Sequence, residues 1–345
     1  MTRTETVPPL AGSVNHKTRR SIRLPAETGA VVALAVLVAL LGWLNPSFLE
    51  PANLLSVLGQ AALPGILAIG MVFVLSAREI DLSAGAVFHL TAAFAALLML
   101  AGMDPWLAGL AGVAAGACLG LINGLLAIVL RLPALLVTLG TWWMIQGLSP
   151  LVAGKGQTIV PPGTDSGFFT ILSGKAFSMV PATAIVFVLL VPVMHAVLHR
   201  TRFGYRVQAV GSNPQAAAYA GIPTSKVRLL TLVLMGAMAG LAGVIHVGAH
   251  GAIAPGEGSN FTLLAIAAAI IGGTSLSGGH GSVIGPAIGM LVLQLILSAM
   301  SMLGVDAVWS TFAAGALVVL ALAFDRLVKL WRSQRARHDH HNPPG

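Results

Sequence analysis

The chain has 345 residues, of which 56% are hydrophobic and only 9% are charged. A typical soluble domain is about 25% charged, so this chain has too few charged side chains to cover a water-soluble surface. The composition excludes a soluble enzyme, a nucleic-acid-binding domain and a disordered chain, and it predicts an all-α protein that crosses the membrane several times. The net charge of +8 does not indicate a nucleic-acid partner, because basic residues in a membrane chain mark its cytoplasmic loops.

Apolar stretches long enough to cross the bilayer, which takes about 20 residues, recur along most of the chain. We predict ten spans, at 29–48, 54–76, 84–102, 106–130, 134–153, 181–199, 228–250, 261–278, 281–303 and 307–325. They form one transmembrane domain over residues 29–325, between an N-terminal tail at 1–28 and a basic C-terminal tail at 326–345. An even number of spans places both tails on the same side of the membrane.

The basic residues predict the orientation of this bundle. Seventeen of the 19 lysines and arginines fall in the two tails and in the loops on the same side, and only Lys155 and Lys175 fall on the other side. Because basic residues concentrate in cytoplasmic segments, both termini are predicted to be cytoplasmic. The same rule makes the long loop 200–227 cytoplasmic and the loop 154–180 extracytoplasmic.

Residues that would catalyse a reaction or hold a metal ion are not apparent. The sequence contains neither a G-x-x-x-x-G-K-[ST] phosphate loop nor an H-E-x-x-H metal motif, so any ATP must be bound by another chain. Ion-coupled carriers usually keep ionisable groups at membrane depth. Here Glu79 and Asp81 come nearest, at the end of the second span, and His246 and His250 lie near the outer end of the seventh. An ion-coupled secondary carrier is therefore only an alternative, and no role is assigned to the two histidines.

Glycines recur at every fourth position on three of the predicted spans. They are Gly112, Gly116 and Gly120, then Gly236 and Gly240, then Gly285 and Gly289. Such spacing lets helix backbones approach closely within a membrane, so it predicts a compact bundle.

The long cytoplasmic loop contains a short predicted helix. Asn213 is a favoured N-cap residue, and Pro214 suits the first helical position. Residues 215–220 would make fewer than two turns, and Gly221 would end them in a left-handed conformation. Because so short a helix is unstable alone, we expect it to rest in a groove of a partner protein through two small side chains, Ala216 and Ala217.

A second conspicuous stretch precedes the third predicted span. It contains a charged pair, Arg78 and Glu79, followed by Asp81 and by Ser83, whose side chain can cap the next helix. A third stretch runs from Asn123 to residue 141 around the turn between the fourth and fifth spans.

These stretches resemble the permease subunit of ribose-type ATP-binding-cassette importers, the simple-sugar uptake family. The resemblance is carried by Ile80-Asp81-Leu82-Ser83-x-Gly85; by Asn123-Gly124 with residues 136–141; by Gly211-x-Asn213-x-x-Ala216-Ala217-x-x-x-Gly221-Ile222; and by residues 265–268 followed by 271–279. Together these segments extend over almost the whole predicted membrane region. The pair Arg78-Glu79 departs from the family, whose members often have smaller residues there.

The resemblance implies a multi-pass permease of the bacterial inner membrane with a vitamin-B12-importer-like helical fold, that of type II importers. It implies an ABC ATPase partner that binds ATP and Mg, with no cofactor on this chain. It also implies a homodimer, or a heterodimer with a sister permease, and a periplasmic solute-binding protein. The expected cargo is a small solute, foremost a monosaccharide, with a nucleoside or a branched-chain amino acid as alternatives.

The resemblance also implies roles for particular residues. The helix in the cytoplasmic loop corresponds to the family's ATPase-coupling helix, with the residues Gly211, Asn213, Pro214, Ala216, Ala217, Gly221 and Ile222. Polar and aromatic residues on the fifth span are candidates to line the pathway, or alternatively to pack or anchor the helix: Thr138, Thr141, Trp142, Trp143 and Gln146. The motif residues without an assigned role are Asp81, Ser83, Gly85 and Asn123.

Overall fold

The computed structural model describes residues 27–152, 156–163, 166–174, 180–306, 308–309, 312–320 and 323. Within these ranges the structure is helical, apart from loops and an isolated β-bridge between Ile159 and Ile253. The helices are α1 (Thr28–Leu44), a 3-10 helix (Pro46–Leu49), α2 (Pro51–Ser76), α3 (Ala84–Leu100), α4 (Pro105–Val129), α5 (Ala134–Val152), α6 (Gly167–Leu172), α7 (Ala182–Arg200), α8 (Arg202–Ser212), α9 (Pro214–Tyr219), α10 (Thr224–His250), α11 (Phe261–Ile271) and α12 (Ile284–Met302). The all-α prediction is confirmed for the described part of the chain.

Six of the described helices are long and apolar enough to cross a membrane, namely α2, α4, α5, α7, α10 and α12. Helices α1 and α3, which are apolar and 17 residues long, reach the lower limit of a spanning length. Most predicted spans agree with these helices to within a few residues. The predicted span 307–325 lies partly outside the described residues, although 308–309 and 312–320 are helical.

The predicted span 261–278 is wrong as a continuous helix. Helix α11 has 11 residues, which at about 1.5 Å per residue cannot cross the bilayer. It ends at Gly272, and the next residue, Gly273, has a φ of +86° that a helix cannot contain. The chain then continues without helical structure to Val283, whose side chain is buried. Irregular backbone is tolerated at membrane depth where protein surrounds it.

Helices α2 and α10 form the interior of the bundle. Their most apolar stretches are 83% and 72% buried, whereas that of α5 is only 22% buried. Helix α10 packs against α2, α3 and α4, and α2 also packs against α7, α11 and α12. The helices around this pair therefore present their apolar outer faces to lipid or to other membrane proteins.

The predicted glycine stripes bring helix backbones together. A Cβ atom added at Gly116 on α4 would lie 3.0 Å from the Cα of Gly240 on α10, and it would also meet the carbonyl oxygen of Gly236. Similarly, Gly285 at the start of α12 lies directly against Gly272 at the end of α11. The prediction of closely packed helices is confirmed at both places.

The two ends of the bundle are distinguished by the course of α10. This helix of 27 residues, about 40 Å long at 1.5 Å per residue, begins beside α8 and α9. It finishes at His250, where α6 packs against it and where the Ile159–Ile253 bridge joins two loops. We call these the α9 end and the α6 end of the bundle.

Candidate functional site

The short helix α9 begins as its sequence predicts. The side-chain oxygen of Asn213 accepts hydrogen bonds from the backbone N–H groups of Gln215 and Ala216, at 3.1 and 3.0 Å. Pro214 occupies the first helical position, where it has no N–H group to satisfy. The predicted N-terminal cap is confirmed, and it orients α9 relative to the preceding α8.

The other end of α9 folds back onto its own chain. Gly221 has a φ of +78°, as predicted, and the N–H of Ile222 donates to the carbonyl of Ala217 at 3.0 Å. Ala217 is only 5% exposed. It belongs to a small buried cluster, with Ile222 packed against it, whose other members are Ala77, Val207, Val210 and Val227. The expectation that Ala217 faces a partner is therefore wrong, because this side chain anchors α9 to the permease itself.

The opposite face of α9 is exposed in the described chain. Gln215, Ala216 and Ala218 are exposed, and Tyr219 is 94% exposed. A nearly fully exposed aromatic side chain thus lies on a helix that is fixed from behind. We call Gln215, Ala216, Ala218 and Tyr219 the outer face of α9.

Helix α8 ends directly against the end of α2. The carbonyl oxygen of Ser76 lies so close to Gly211 that a Cβ atom there has no room. The same carbonyl accepts a hydrogen bond from the N–H of Gly279 at 3.0 Å, and a Cβ atom at Gly278 would lie 2.9 Å from the Cβ of Arg78. The segment around Gly211 thus meets the segment 271–279 beside Arg78, just before the segment that begins at Ile80. All three segments carry parts of the family resemblance.

The segment that begins at Ile80 is held by a buried network of polar side chains. One carboxylate oxygen of Asp81 accepts hydrogen bonds from the N–H of Ser83 at 2.8 Å and from its hydroxyl at 2.6 Å. The side-chain amide of Asn123 donates to the same hydroxyl at 2.9 Å. Burial raises the pKa of the Asp81 carboxyl, and the bonds from Ser83 partly oppose that shift. The prediction that Ser83 caps α3 with its side chain is wrong, because this hydroxyl bonds to Asp81 instead.

Two threonines from other helices fix the backbone of the same segment. The N–H of Leu82 donates to the hydroxyl oxygen of Thr138 on α5 at 3.0 Å, and the N–H of Gly85 donates to that of Thr262 on α11 at 2.7 Å. A Cβ atom at Gly85 would lie 2.5 Å from the carbonyl oxygen of Gly258. Sequence reasoning missed Thr262, since a threonine near the start of an apolar stretch carries no local signal.

The structure disperses the other candidate pathway residues of α5. The hydroxyl of Thr141 donates to the carbonyl of Thr138 at 3.2 Å. Trp142 packs against the large buried apolar cluster that includes α2 and α10, whereas Trp143 is exposed. Gln146 is half-buried. A cavity of about 490 Å³ near the α6 end is lined by other helices, so a role of these residues in the pathway stays a prediction.

An ion pair joins this region to the start of α10. The buried carboxylate of Glu79 pairs with the half-buried guanidinium of Arg228. Its second oxygen accepts a hydrogen bond from the N–H of Ala134, the first residue of α5, at 3.3 Å. Sequence reasoning assigned no role to Glu79 and counted Arg228 only as a cytoplasmic basic residue. The pair connects the chain after α2 with α5 and α10.

These contacts form a mechanical junction at the α9 end of the bundle. They link α8 and α9 to the end of α2, to the chain after α11, and to the starts of α3, α5, α10 and α11. Within the described ranges, no group of three or more His, Cys, Asp or Glu side chains could hold a metal ion. The site consists of backbone contacts, hydrogen bonds and an ion pair that connect α9 to the helices behind it.

Comparison with known proteins assigns a family to the chain. The family described as branched-chain amino acid transport system / permease component matches residues 53–322. The chain is 38% identical, over 301 residues, to the ribose import permease protein RbsC of Bacillus subtilis, and the match covers 87% of this chain and 92% of that protein. No solved structure matches.

Two further permeases from Escherichia coli are similar over the same share of the chain. The D-allose transport system permease protein AlsC is 33% identical over 302 residues, which are 87% of this chain and 91% of that protein. The galactose/methyl galactoside import permease protein MglC is 33% identical over 316 residues, with 87% and 94% covered. The predicted resemblance is thereby confirmed, and the chain belongs to the family of branched-chain amino acid transport system permease components.

Proposed function

We propose that this permease forms the membrane pathway of an ATP-driven importer for a monosaccharide. The observation that carries the proposal is the similarity, over 87% of the chain, to permeases named for ribose, D-allose and galactose. The segments that resemble the simple-sugar uptake family support the same cargo. A nucleoside or a branched-chain amino acid is the second candidate, because the family description itself refers to branched-chain amino acids.

ATP hydrolysis belongs to a partner in this proposal. The sequence has no phosphate loop, so ATP and Mg sit on a separate ABC ATPase. A periplasmic binding protein delivers the solute to the opposite side of the membrane. A second copy of the chain, or a sister permease, completes the transmembrane pathway.

The outer face of α9 is the surface that we propose for the ATPase. Ala217 holds the helix from behind, which leaves Ala216 and Tyr219 free to contact a partner. A movement of α9 would reach α2 through the contact between Gly211 and Ser76. The Asp81 network and the Glu79–Arg228 pair would pass it to α3, α5 and α10.

We further propose the topology expected from the basic residues. Both termini and loop 200–227 lie in the cytoplasm in this proposal, and loop 154–180 lies outside. Helix α11 and the irregular chain after it together make one crossing, because Phe261 lies near the α6 end and Gly279 bonds to Ser76 at the end of α2. The α9 end then faces the ATPase, and the α6 end faces the binding protein. We propose a vitamin-B12-importer-like fold because the sequence segments resemble the simple-sugar uptake family.

Uptake measurements test this function. Cells that express the permease with its ATPase and binding protein are supplied with radiolabelled D-ribose, D-allose, D-galactose, uridine or leucine. We expect uptake of at least one sugar, and we expect it to stop when either partner is omitted. Uptake of uridine or leucine alone would identify the second candidate. Uptake without the ATPase would instead support an ion-coupled carrier.

A further inference from the structure

A cavity of about 490 Å³ lies within the single permease chain, near the α6 end of the bundle. Its walls come from α2, α7, α10, α11 and α12, together with the chain that precedes α7. This volume lies within the range of about 300–1,000 Å³ that small-molecule sites occupy. None of the predicted pathway residues on α5 lines it.

One wall of the cavity carries a chain of hydrogen-bonded polar side chains. The amide of Gln294 on α12 donates to the side-chain oxygen of Gln60 on α2 at 3.0 Å. The amide of Gln60 in turn donates to the hydroxyl of Ser56 at 3.1 Å. Both glutamines belong to apolar helices of spanning length, where a polar side chain facing lipid is costly. Their position on the cavity wall gives these amides a polar environment.

The facing wall carries a histidine with a free ring nitrogen. The side chain of His246 on α10 is only 9% exposed, and its Nε2 lies 2.8 Å from a carboxylate oxygen of Glu257. That oxygen also accepts a hydrogen bond from the N–H of Ala254 at 2.9 Å, so the carboxylate is fixed. Among the described residues, Nδ1 of His246 has no hydrogen-bond partner although it is buried. Because that nitrogen is itself inaccessible, His246 contributes its ring to the wall, and Glu257 holds the ring in place.

The chemistry of the walls selects a class of ligand. Of the described residues that line the cavity, none is Asp, Glu, Lys or Arg, so an ion would enter without a counter-charge. Amide, hydroxyl and imidazole groups instead match the hydroxyls of a neutral polyol. Phe261 and the ring of His250, which stacks on His246 at 4.4 Å, add flat apolar surface suited to the C–H faces of such a molecule.

We propose that this cavity is a binding site for a neutral polyhydroxylated solute within each permease chain. The amides of Gln60 and Gln294 contact the solute hydroxyls, and the ring of His250 contacts its C–H groups. The inference rests on the proposed function for the identity of the solute, since a sugar importer handles molecules of this class. The proposal places the solute contacts on α2, α10 and α12, whereas the sequence predicted them on α5.

Protection from cysteine labelling tests occupancy directly. Ser56→Cys is made in a Cys118→Ala background, purified with the ATPase in lipid nanodiscs and treated with a polar maleimide. Ser47→Cys is the matched control, because it is the same substitution on an exposed residue outside the cavity lining. We expect D-ribose, D-allose or D-galactose at about ten times its dissociation constant to slow labelling of Ser56→Cys about tenfold, with no effect on Ser47→Cys. Equal labelling rates with and without all three sugars would overturn the proposal.

A second arm measures uptake by a variant with altered walls. Gln60→Met with Gln294→Met removes both bonded partners together, so neither amide is left unpaired. Gln157→Met, on an exposed loop residue, is the matched control. The double variant should import the transported sugar about tenfold more slowly at saturating binding protein, while Gln157→Met imports at the wild-type rate. The site is refuted if the wild-type importer takes up a sugar, the double variant takes it up equally fast, and no sugar protects Ser56→Cys from labelling. That combination of results leaves the proposed function standing. Failure of the wild-type importer on every sugar refutes the proposed function instead.

Discussion

Gly211 at the end of α8 lies directly against the carbonyl of Ser76 at the end of α2, with no space for a side chain between them. The contact joins two backbones rather than two flexible side chains. A shift of α8 by even a few tenths of an ångström must therefore move α2 or break the packing. Since α2 is among the most buried helices, this contact connects the surface at α9 to the core of the bundle.

Gly211→Ala should uncouple the two helices. The added methyl group would overlap the Ser76 carbonyl, and we expect a loss of roughly 1–3 kcal/mol in stability, as for other overpacked sites. Transport should fall at least about tenfold. Gly315→Ala is the control, because its Cβ would meet no atom within 4 Å. Melting in detergent and uptake in vesicles measure the two effects, and a Gly211→Ala variant equal to Gly315→Ala in both would contradict the assignment.

Ser83→Ala should destabilise the junction through two lost partners. Asp81 would lose a hydroxyl donor, and the buried amide of Asn123 would lose its acceptor. Such unsatisfied groups cost roughly 1–3 kcal/mol each. Asp81→Asn should cost less, because it keeps an acceptor oxygen and because burial already disfavours the charged carboxylate. Thermal melting of the purified variants ranks them, and a larger loss for Asp81→Asn than for Ser83→Ala is incompatible with this network.

The Glu79–Arg228 pair predicts a non-additive pair of mutations. Arg228→Met should leave a buried carboxylate without its cation and lower the melting temperature clearly. Glu79→Gln added to Arg228→Met should restore part of that loss, because no unpaired charge then remains. A double-mutant cycle in detergent measures the coupling. If the loss of stability in the double variant equals the sum of the losses in the two single variants, the pair contributes no interaction energy.

Single-cysteine labelling tests the orientation in a Cys118→Ala background. Gln157→Cys lies in the loop bridged to Ile253, and Gln215→Cys lies on the outer face of α9. In sealed inside-out vesicles a membrane-impermeant maleimide should label Gln215→Cys at once and Gln157→Cys only after the vesicles are opened. The reverse pattern would place the α9 end outside and exclude its contact with an ATPase.

Local signals in the sequence were sufficient for much of the fold. The bounds of α9 follow from Asn213, Pro214 and Gly221, each of which acts within a few residues of itself. The long apolar helices follow from the hydropathy of contiguous residues, and the glycine spacing correctly indicated close backbones. The early end of α11 also has a local signal, the glycine pair Gly272-Gly273 within an otherwise apolar stretch.

The site depended on contacts that a single sequence does not reveal. Thr262 and Gly85 are 177 residues apart, and nothing local to either residue indicates that they bond. The burial of Ala217 depends in the same way on the fold around it, since its cluster includes a residue at the end of α2. A six-residue helix presents small side chains on every side, so its pattern does not specify which face is turned inward.

Tyr219→Ala tests the outer face of α9 as the ATPase contact. The side chain is 94% exposed, so its removal should leave the melting temperature of the permease unchanged. An exposed aromatic anchor at an interface often contributes about 2 kcal/mol or more to binding. We therefore expect co-purification of the ATPase to fall at least about tenfold, together with transport. Ala217→Arg should instead destabilise the permease itself, because a buried charge would replace the methyl group that anchors α9.

Tyr205→Ala is the matched control, since Tyr205 is the other tyrosine of the chain and lies exposed on α8. It should retain the ATPase and transport at the wild-type rate. Tyr219→Phe should also retain the ATPase, because the ring rather than the hydroxyl supplies most of the contact area. If Tyr205→Ala releases the ATPase and Tyr219→Ala does not, the contact lies on α8 and the role proposed for the outer face of α9 is wrong.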